Sequence, residues 1–184
     1  MLYTRKGDSG TTKAFDTKAG ERISKSSCRT ESLGALDELN SFLGIAKVKS
    51  TPLDWTVKGR KLSDIVAWSQ NGLFIVQAEV AGADKRVTED KVTEMEAWVD
   101  AIEAELPPIK TFFISGGTEL AAIFDVCRTM ARKAERRVIK AFEEDSIKVG
   151  PSTLAFLNRL SSLFYALARL TNHKSGIKEV PPEY

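Results

Sequence analysis

From residue 29 onward the apolar positions recur at helical spacing. Over 29 to 48, Leu36, Leu39, Leu43 and Ala46 alternate steps of three and four, which predicts an amphipathic helix. Pro52 lies in the break that follows. A second helix is predicted from Leu62 to Ala81, with Ile65, Val66, Leu73, Val76 and Val80 inward and Gly82 as its stop signal. A third starts near Thr88, carries Val92, Met95, Val99 and Ile102 inward, and ends at Pro107 and Pro108. The fourth, about 118 to 144, has the clearest repeat. Leu120, Phe124, Cys127, Ala131, Ala134, Val138 and Ala141 form a coiled-coil-like seam. The fifth begins at Pro151 or Ser152, with Leu157, Leu160, Phe164 and Leu167 as its seam.

Three stretches lack this period. Residues 1 to 28 are rich in Gly, Ser, Thr and Lys and read as an extended arm with turns. The stretch TFFISGG, 111 to 117, is apolar with a glycine turn, and by itself it could be a strand. The tail, 173 to 184, carries Gly176, Pro181 and Pro182 and reads as irregular. With no internal repeat, the expected architecture is an all-α, five-helix bundle in one domain over 1–184: arm 1–28, bundle 29–172, tail 173–184.

Composition narrows the function. Hydrophobic residues make up 42% and charged residues 28%, as in ordinary soluble proteins. The net charge of +2 argues against a general nucleic-acid binder. No apolar run approaches the roughly 18 residues a membrane helix needs, and the N-terminus shows no signal segment. Cys28 and Cys127 make no disulfide framework, so the expected compartment is the cytoplasm. The single histidine, His173, excludes a di-iron bundle built on paired Glu-x-x-His motifs.

Against that near-neutral background, RTMARKAERR, 128 to 137, concentrates four arginines and a lysine. Each helical residue is rotated about 100° from the last. Arg128, Arg132 and Glu135 each follow a seam residue, so they form one stripe at the edge of the packed face. Arg128 and Arg132, four apart, repel each other unless an anion or carboxylates lie between them. Asn158, Ser161 and Tyr165 make a similar stripe on the fifth helix, and Asp37, Asn40 and Ser41 on the first. Such groups need partners. Inter-helix salt bridges, such as Arg128 with Asp37, would satisfy them; so would a ligand.

The arm bears on that choice. In TRKGDSGTTK, 4 to 13, Gly7 and Gly10 allow backbone N–H groups to converge on an anion, while Thr11, Thr12 and Lys13 add hydroxyls and charge. The stretch does not match a Walker A loop. Paired with the arginine stripe, it suggests a polyphosphate.

These stretches together resemble the PduO-type ATP:cob(I)alamin adenosyltransferases. TRKGDSGTT (4–12) is similar to that family's nucleotide loop and ESLGALDELNSFLG (31–44) to its first-helix motif. FFISGGTELAA (112–122) is similar to the corrinoid-side loop, CRTMARKAERR (127–137) to the arginine helix, and FLNRLSSLFYALAR (156–169) to the last-helix motif. The resemblance implies a five-helix homotrimer with ATP between subunits. It implies transfer of the 5′-deoxyadenosyl group of ATP to the cobalt of cob(I)alamin, with triphosphate released. Cobalt(I) is then the nucleophile, and arginines and Mg²⁺ stabilise the leaving group.

By the same resemblance, Thr4, Arg5, Lys6, Gly7, Thr12, Lys13 and Lys25 wrap the triphosphate, Arg128 and Arg132 hold it, and Asn158 contacts the nucleotide. Asp37 pairs with Arg128 across the subunit boundary. Glu135 orients the arginines or a hydrated Mg²⁺. Phe112 sits beneath the corrin and displaces the lower axial ligand, with Ser161 and Phe164 near the same face; as plain core residues, Phe112 and Phe113 would fit the periodicity equally well. A reductase, or an enzyme that uses adenosylcobalamin, is the implied partner. Departures from the family pattern are Lys6, Lys13, Ser115, Asp125 and Ser162. The rival readings are a non-catalytic helical scaffold, a corrinoid chaperone and a phosphotransferase.

Overall fold

Small polar residues and glycines stand at several of the helix ends. The computed structural model describes residues 3–145 and 147–183. Helix α1 spans Cys28–Ser50, its N-terminus capped by Ser27, whose side chain accepts from the Thr30 N–H. Helix α2 spans Leu62–Val80. Beyond its end, Gly82 donates to Glu79 and Ala83 donates to Ala78, the paired bonds of a Schellman turn. Helix α3 spans Glu89–Glu105. Helix α4, Glu119–Glu144, is capped by Thr118, which accepts from the Ala121 N–H. Helix α5 spans Pro151–Lys174 and starts on Gly150, which supplies no side-chain cap. A carboxylate from α2 ties down this first turn: Glu79 accepts from the Gly150 N–H at 2.7 Å and from the Thr153 hydroxyl at 2.5 Å.

The predicted helices are all present, each within two residues of its expected start. The predicted seams are the buried faces, except that on α3 Trp98 is buried and the expected Val99 is only partly so. Leu36, Leu39, Leu43, Phe124, Cys127, Val138, Leu157, Leu160 and Leu167 are fully buried in one continuous core. Helix α4 packs between α1 and α5, α2 lies on α1, and α3 on α5. Aromatic side chains join the outer pair. Trp68 of α2 meets Trp98 of α3 edge-on at 4.8 Å and leans on Phe156 of α5 at 5.7 Å.

Two features differ from the sequence reading. Residues 56–61 form a hairpin that periodicity did not announce: β3, Thr56–Val57, pairs with β4, Arg60–Lys61. Lys58 and Gly59 turn it with φ of 50° and 78°, the conformation of a two-residue primed turn. Conversely, 111–117 is not a strand. Among the described residues its one backbone tie to the tail is the Ile114 N–H to the Val180 carbonyl at 2.9 Å, too little for a ladder. The arm is extended with turns, as expected, and contains one small hairpin of β1, Thr11–Thr12, with β2, Ile23–Ser24.

Candidate functional site

The two flanks of α4 carry different chemistry. Residues that follow its seam, Arg128, Arg132 and Glu135, face the α5 side. Residues that precede it, Lys133 and Arg137, face the α1 side, where Lys133 meets Glu38 at 2.7 Å and Arg137 approaches Glu31 at 3.7 Å. A groove opens on each flank.

On the α5 side the groove holds about 620 Å³. One wall is the loop Ile109–Gly116, the other is Arg128, Arg132, Ser161 and Tyr165. Phe112 stands at the loop's crest, 80% exposed, whereas Phe113 turns in beneath the guanidinium of Arg169, 5.4 Å from its ring. Asn172 fixes the end of this loop. It donates to the Gly116 carbonyl at 2.7 Å and accepts from the Thr118 N–H at 3.0 Å. A Cβ at Gly117, whose φ is 103°, would run into that Asn172 side chain. Asp125 accepts from the Gly116 N–H at 3.0 Å.

Arg128 lies 3.5 Å from the Asp125 carboxylate and 5.8 Å over the Tyr165 ring. Its buried Nε has no hydrogen-bond partner among the described residues, so the guanidinium retains donor capacity. Burial raises the Tyr165 phenol above its ordinary value, so it faces the groove as a neutral donor. Further along the stripe Asn158 donates to Glu135 at 3.0 Å and accepts from Arg159 at 2.6 Å.

On the α1 side a second groove, about 430 Å³, joins the arm to the bundle. Thr12 and Lys25 line it together with Lys133 and Arg137. Lys25 lies directly against Gly7, where an added Cβ would come within 3.0 Å of its Nζ, and its N–H donates to the Gly10 carbonyl at 2.9 Å. Thr4, Arg5, Lys6 and Lys13 are exposed on the same arm, with Arg5 at a left-handed φ of 59°. The arm is anchored by Asp16, 2.8 Å from the buried Arg29, and by the Phe15 N–H on the Ala81 carbonyl at 2.8 Å.

Within one chain, therefore, the arm and the Arg128–Arg132 pair open on opposite flanks of α4. The intrachain pairing of Arg128 with Asp37 does not form. Asp37 is exposed on α1, and the carboxylate beside Arg128 is Asp125. Phe164 also departs from its expected place. It is fully buried and absent from the groove lining, because it continues the Leu157–Leu160 seam. Ser161 and Phe112 do reach the groove.

Sequence reasoning did not single out Arg169, Asn172 and Glu179, or Lys133 and Arg137. A signal existed for the first two. The polar stripe Asn158, Ser161, Tyr165 continues at helical steps through Arg169 and Asn172. Glu179, in the irregular tail, had no such signal. Neither cysteine fits as a nucleophile: burial pushes the Cys127 thiol up to about 12, and a hydrogen bond to Glu144 raises that of Cys28.

The model of the cobalamin adenosyltransferase family matches residues 2–171. The corrinoid adenosyltransferase of Bacillus subtilis is 37% identical over 99% of this chain and 92% of its own length. The corrinoid adenosyltransferase PduO of Citrobacter freundii is 32% identical over 94% of this chain, which spans 50% of that protein. A variant of the PduO-type ATP:corrinoid adenosyltransferase from Lactobacillus reuteri, solved with cobalamin and ATP, matches with a TM-score of 0.86 and 28% identity over 100% of both chains. The chain belongs to the cobalamin adenosyltransferase family and is an adenosyl-transferring enzyme.

Proposed function

We propose that this chain transfers the 5′-deoxyadenosyl group of ATP to the cobalt of cob(I)alamin, with the nucleotide held between neighbouring copies of a homotrimer. The observation that carries this reading is the larger groove, where an exposed aromatic crest, Phe112, faces a cationic pair, Arg128 and Arg132. An apolar crest suits the face of a corrin ring. The pair suits a polyphosphate.

The chemistry asks for no protein nucleophile. Cobalt(I) donates its electron pair to C5′, a cobalt–carbon bond forms, and the C5′–oxygen bond breaks. That bonding pair leaves on triphosphate. Arg128 and Arg132 stabilise the growing negative charge on the leaving group. Thr4, Arg5, Lys6, Gly7, Thr12, Lys13 and Lys25 wrap the phosphates from the arm of the neighbouring copy, and Asn158 contacts the nucleotide. Asp37 of one copy pairs with Arg128 of the next. Phe112 takes the lower face of the corrin in place of the axial ligand, with Ser161 at its edge.

A Mg²⁺ ion bound with the nucleotide would neutralise part of the triphosphate charge. Such an ion would rest on the phosphates, with Glu135, which holds Asn158, orienting its hydration shell or the arginines. No described helix is long and apolar enough to cross a membrane. We place the reaction in the cytoplasm, next to a reductase that supplies cob(I)alamin or an enzyme that uses the product.

Incubation with ATP, Mg²⁺ and chemically reduced cobalamin should generate the cobalt–carbon chromophore and one triphosphate per turnover. Phosphoryl transfer from ATP to an acceptor hydroxyl, with ADP released, would favour a phosphotransferase, and tight binding without product would favour a chaperone.

A further inference from the structure

Arg169 lies on the last turns of α5 with its side chain only 5% exposed. A buried guanidinium needs partners, and two of this one's nitrogens find them on other segments, one in the tail and one just after α3. Its Nε reaches both carboxylate oxygens of Glu179, at 3.1 and 2.9 Å. A second nitrogen donates to the Pro107 carbonyl at 3.0 Å, where the chain leaves α3. The guanidinium face covers Phe113.

The tail is turned to make this possible. After α5, Gly176 donates to His173 and Ile177 donates to Asn172, a second Schellman turn that reverses the chain. Glu179 then meets Arg169, and Val180 accepts from Ile114. The loop that carries Phe112 is thus gripped at its start through Pro107, at its middle through Phe113 and Ile114, and at its end by Asn172 and Asp125.

Packing alone does not call for this arrangement. A buried ion pair is on balance no more stabilising than apolar side chains of equal volume. What the arginine supplies is direction, because its Nε is held by the Glu179 carboxylate while a second nitrogen is held by the Pro107 carbonyl, and two anchors on one planar group fix its angle as well as its distance.

We propose that Arg169, clasped by Glu179, is a positioning residue for adenosyl transfer that sets the height and angle of Phe112 in the groove. The inference rests on the reading that Phe112 meets the corrinoid. Glu179→Gln in the full chain is the suitable test. The glutamine keeps the size of the side chain, and the partly exposed tail position spares the core. The KM for cob(I)alamin should rise about tenfold, since displacements near 1 Å in a site can cost up to about 100-fold. The KM for ATP should stay near that of the parent, while the melting temperature falls, because the buried guanidinium loses its counter-charge. In a Phe112→Ala background the same substitution should have little further effect, because the residue it positions is gone.

An unchanged cob(I)alamin KM in Glu179→Gln would overturn the inference, as would equal rises for both substrates, or an effect that multiplies in full with Phe112→Ala. A Phe112→Ala enzyme with parental corrinoid kinetics would instead overturn the reading of Phe112, and the inference with it.

Discussion

Phe112 and Phe113 are adjacent, chemically identical and oppositely placed. Phe113 is held under Arg169, while Phe112 stands 80% exposed beside the groove. An exposed phenylalanine on a pinned loop leaves apolar surface in water that a flat apolar ligand can cover. With Phe112 as the group that displaces the lower axial ligand, its removal should matter most where cobalt has still to be reduced. Phe112→Ala is expected to slow conversion from cob(II)alamin more than from pre-reduced cob(I)alamin, measured by the rate of product chromophore formation. Equal losses from the two starting points would contradict that role.

At the scale of elements, the polar positions explain more than the apolar ones. Helix α5 starts on Gly150 with no side-chain cap, and the buried Glu79 of α2 ties down its first turn. Glu79→Ala should cost about 3 kcal/mol, as expected when two hydrogen bonds to a buried charged group are lost. Chemical denaturation would report it; a loss below about 0.5 kcal/mol, the range of inert surface changes, would show that this tie is dispensable. The helices themselves were legible in the sequence because their seams repeat every three or four residues. So was the edge stripe of Arg128, Arg132 and Glu135, since a residue that follows a seam position must lie beside it. The 56–61 hairpin was not legible: its two-residue turn uses Lys58–Gly59 in place of the usual Asn–Gly. Nor was the partnership of Glu79 with Gly150, or of Glu179 with Arg169. These join segments far apart in sequence or in irregular backbone, where periodicity carries no information. Phe164 was misplaced for the opposite reason, because its seam spacing spoke for the core and motif position spoke for the groove.

The whole molecule poses the largest question. Helix α4 presents cations to two grooves, Arg128 and Arg132 toward α5 and Lys133 and Arg137 toward α1 and the arm. One chain does not bring the arm to the arginine pair, and the proposed function requires that it be brought by a neighbouring copy. In a closed ring each copy would then give its arm to one site and its α4 arginines to the next.

Mixed assemblies test this most directly. Arg132→Ala and Lys25→Ala chains, each folded and each inactive alone, would be unfolded together, refolded as a mixture and assayed with ATP and cob(I)alamin. With the two groups supplied by different copies, random assembly at equal amounts should restore about a quarter of parental turnover, because about one site in four then combines an intact arm with an intact arginine helix. No recovery in assemblies shown to contain both chains would contradict the shared site.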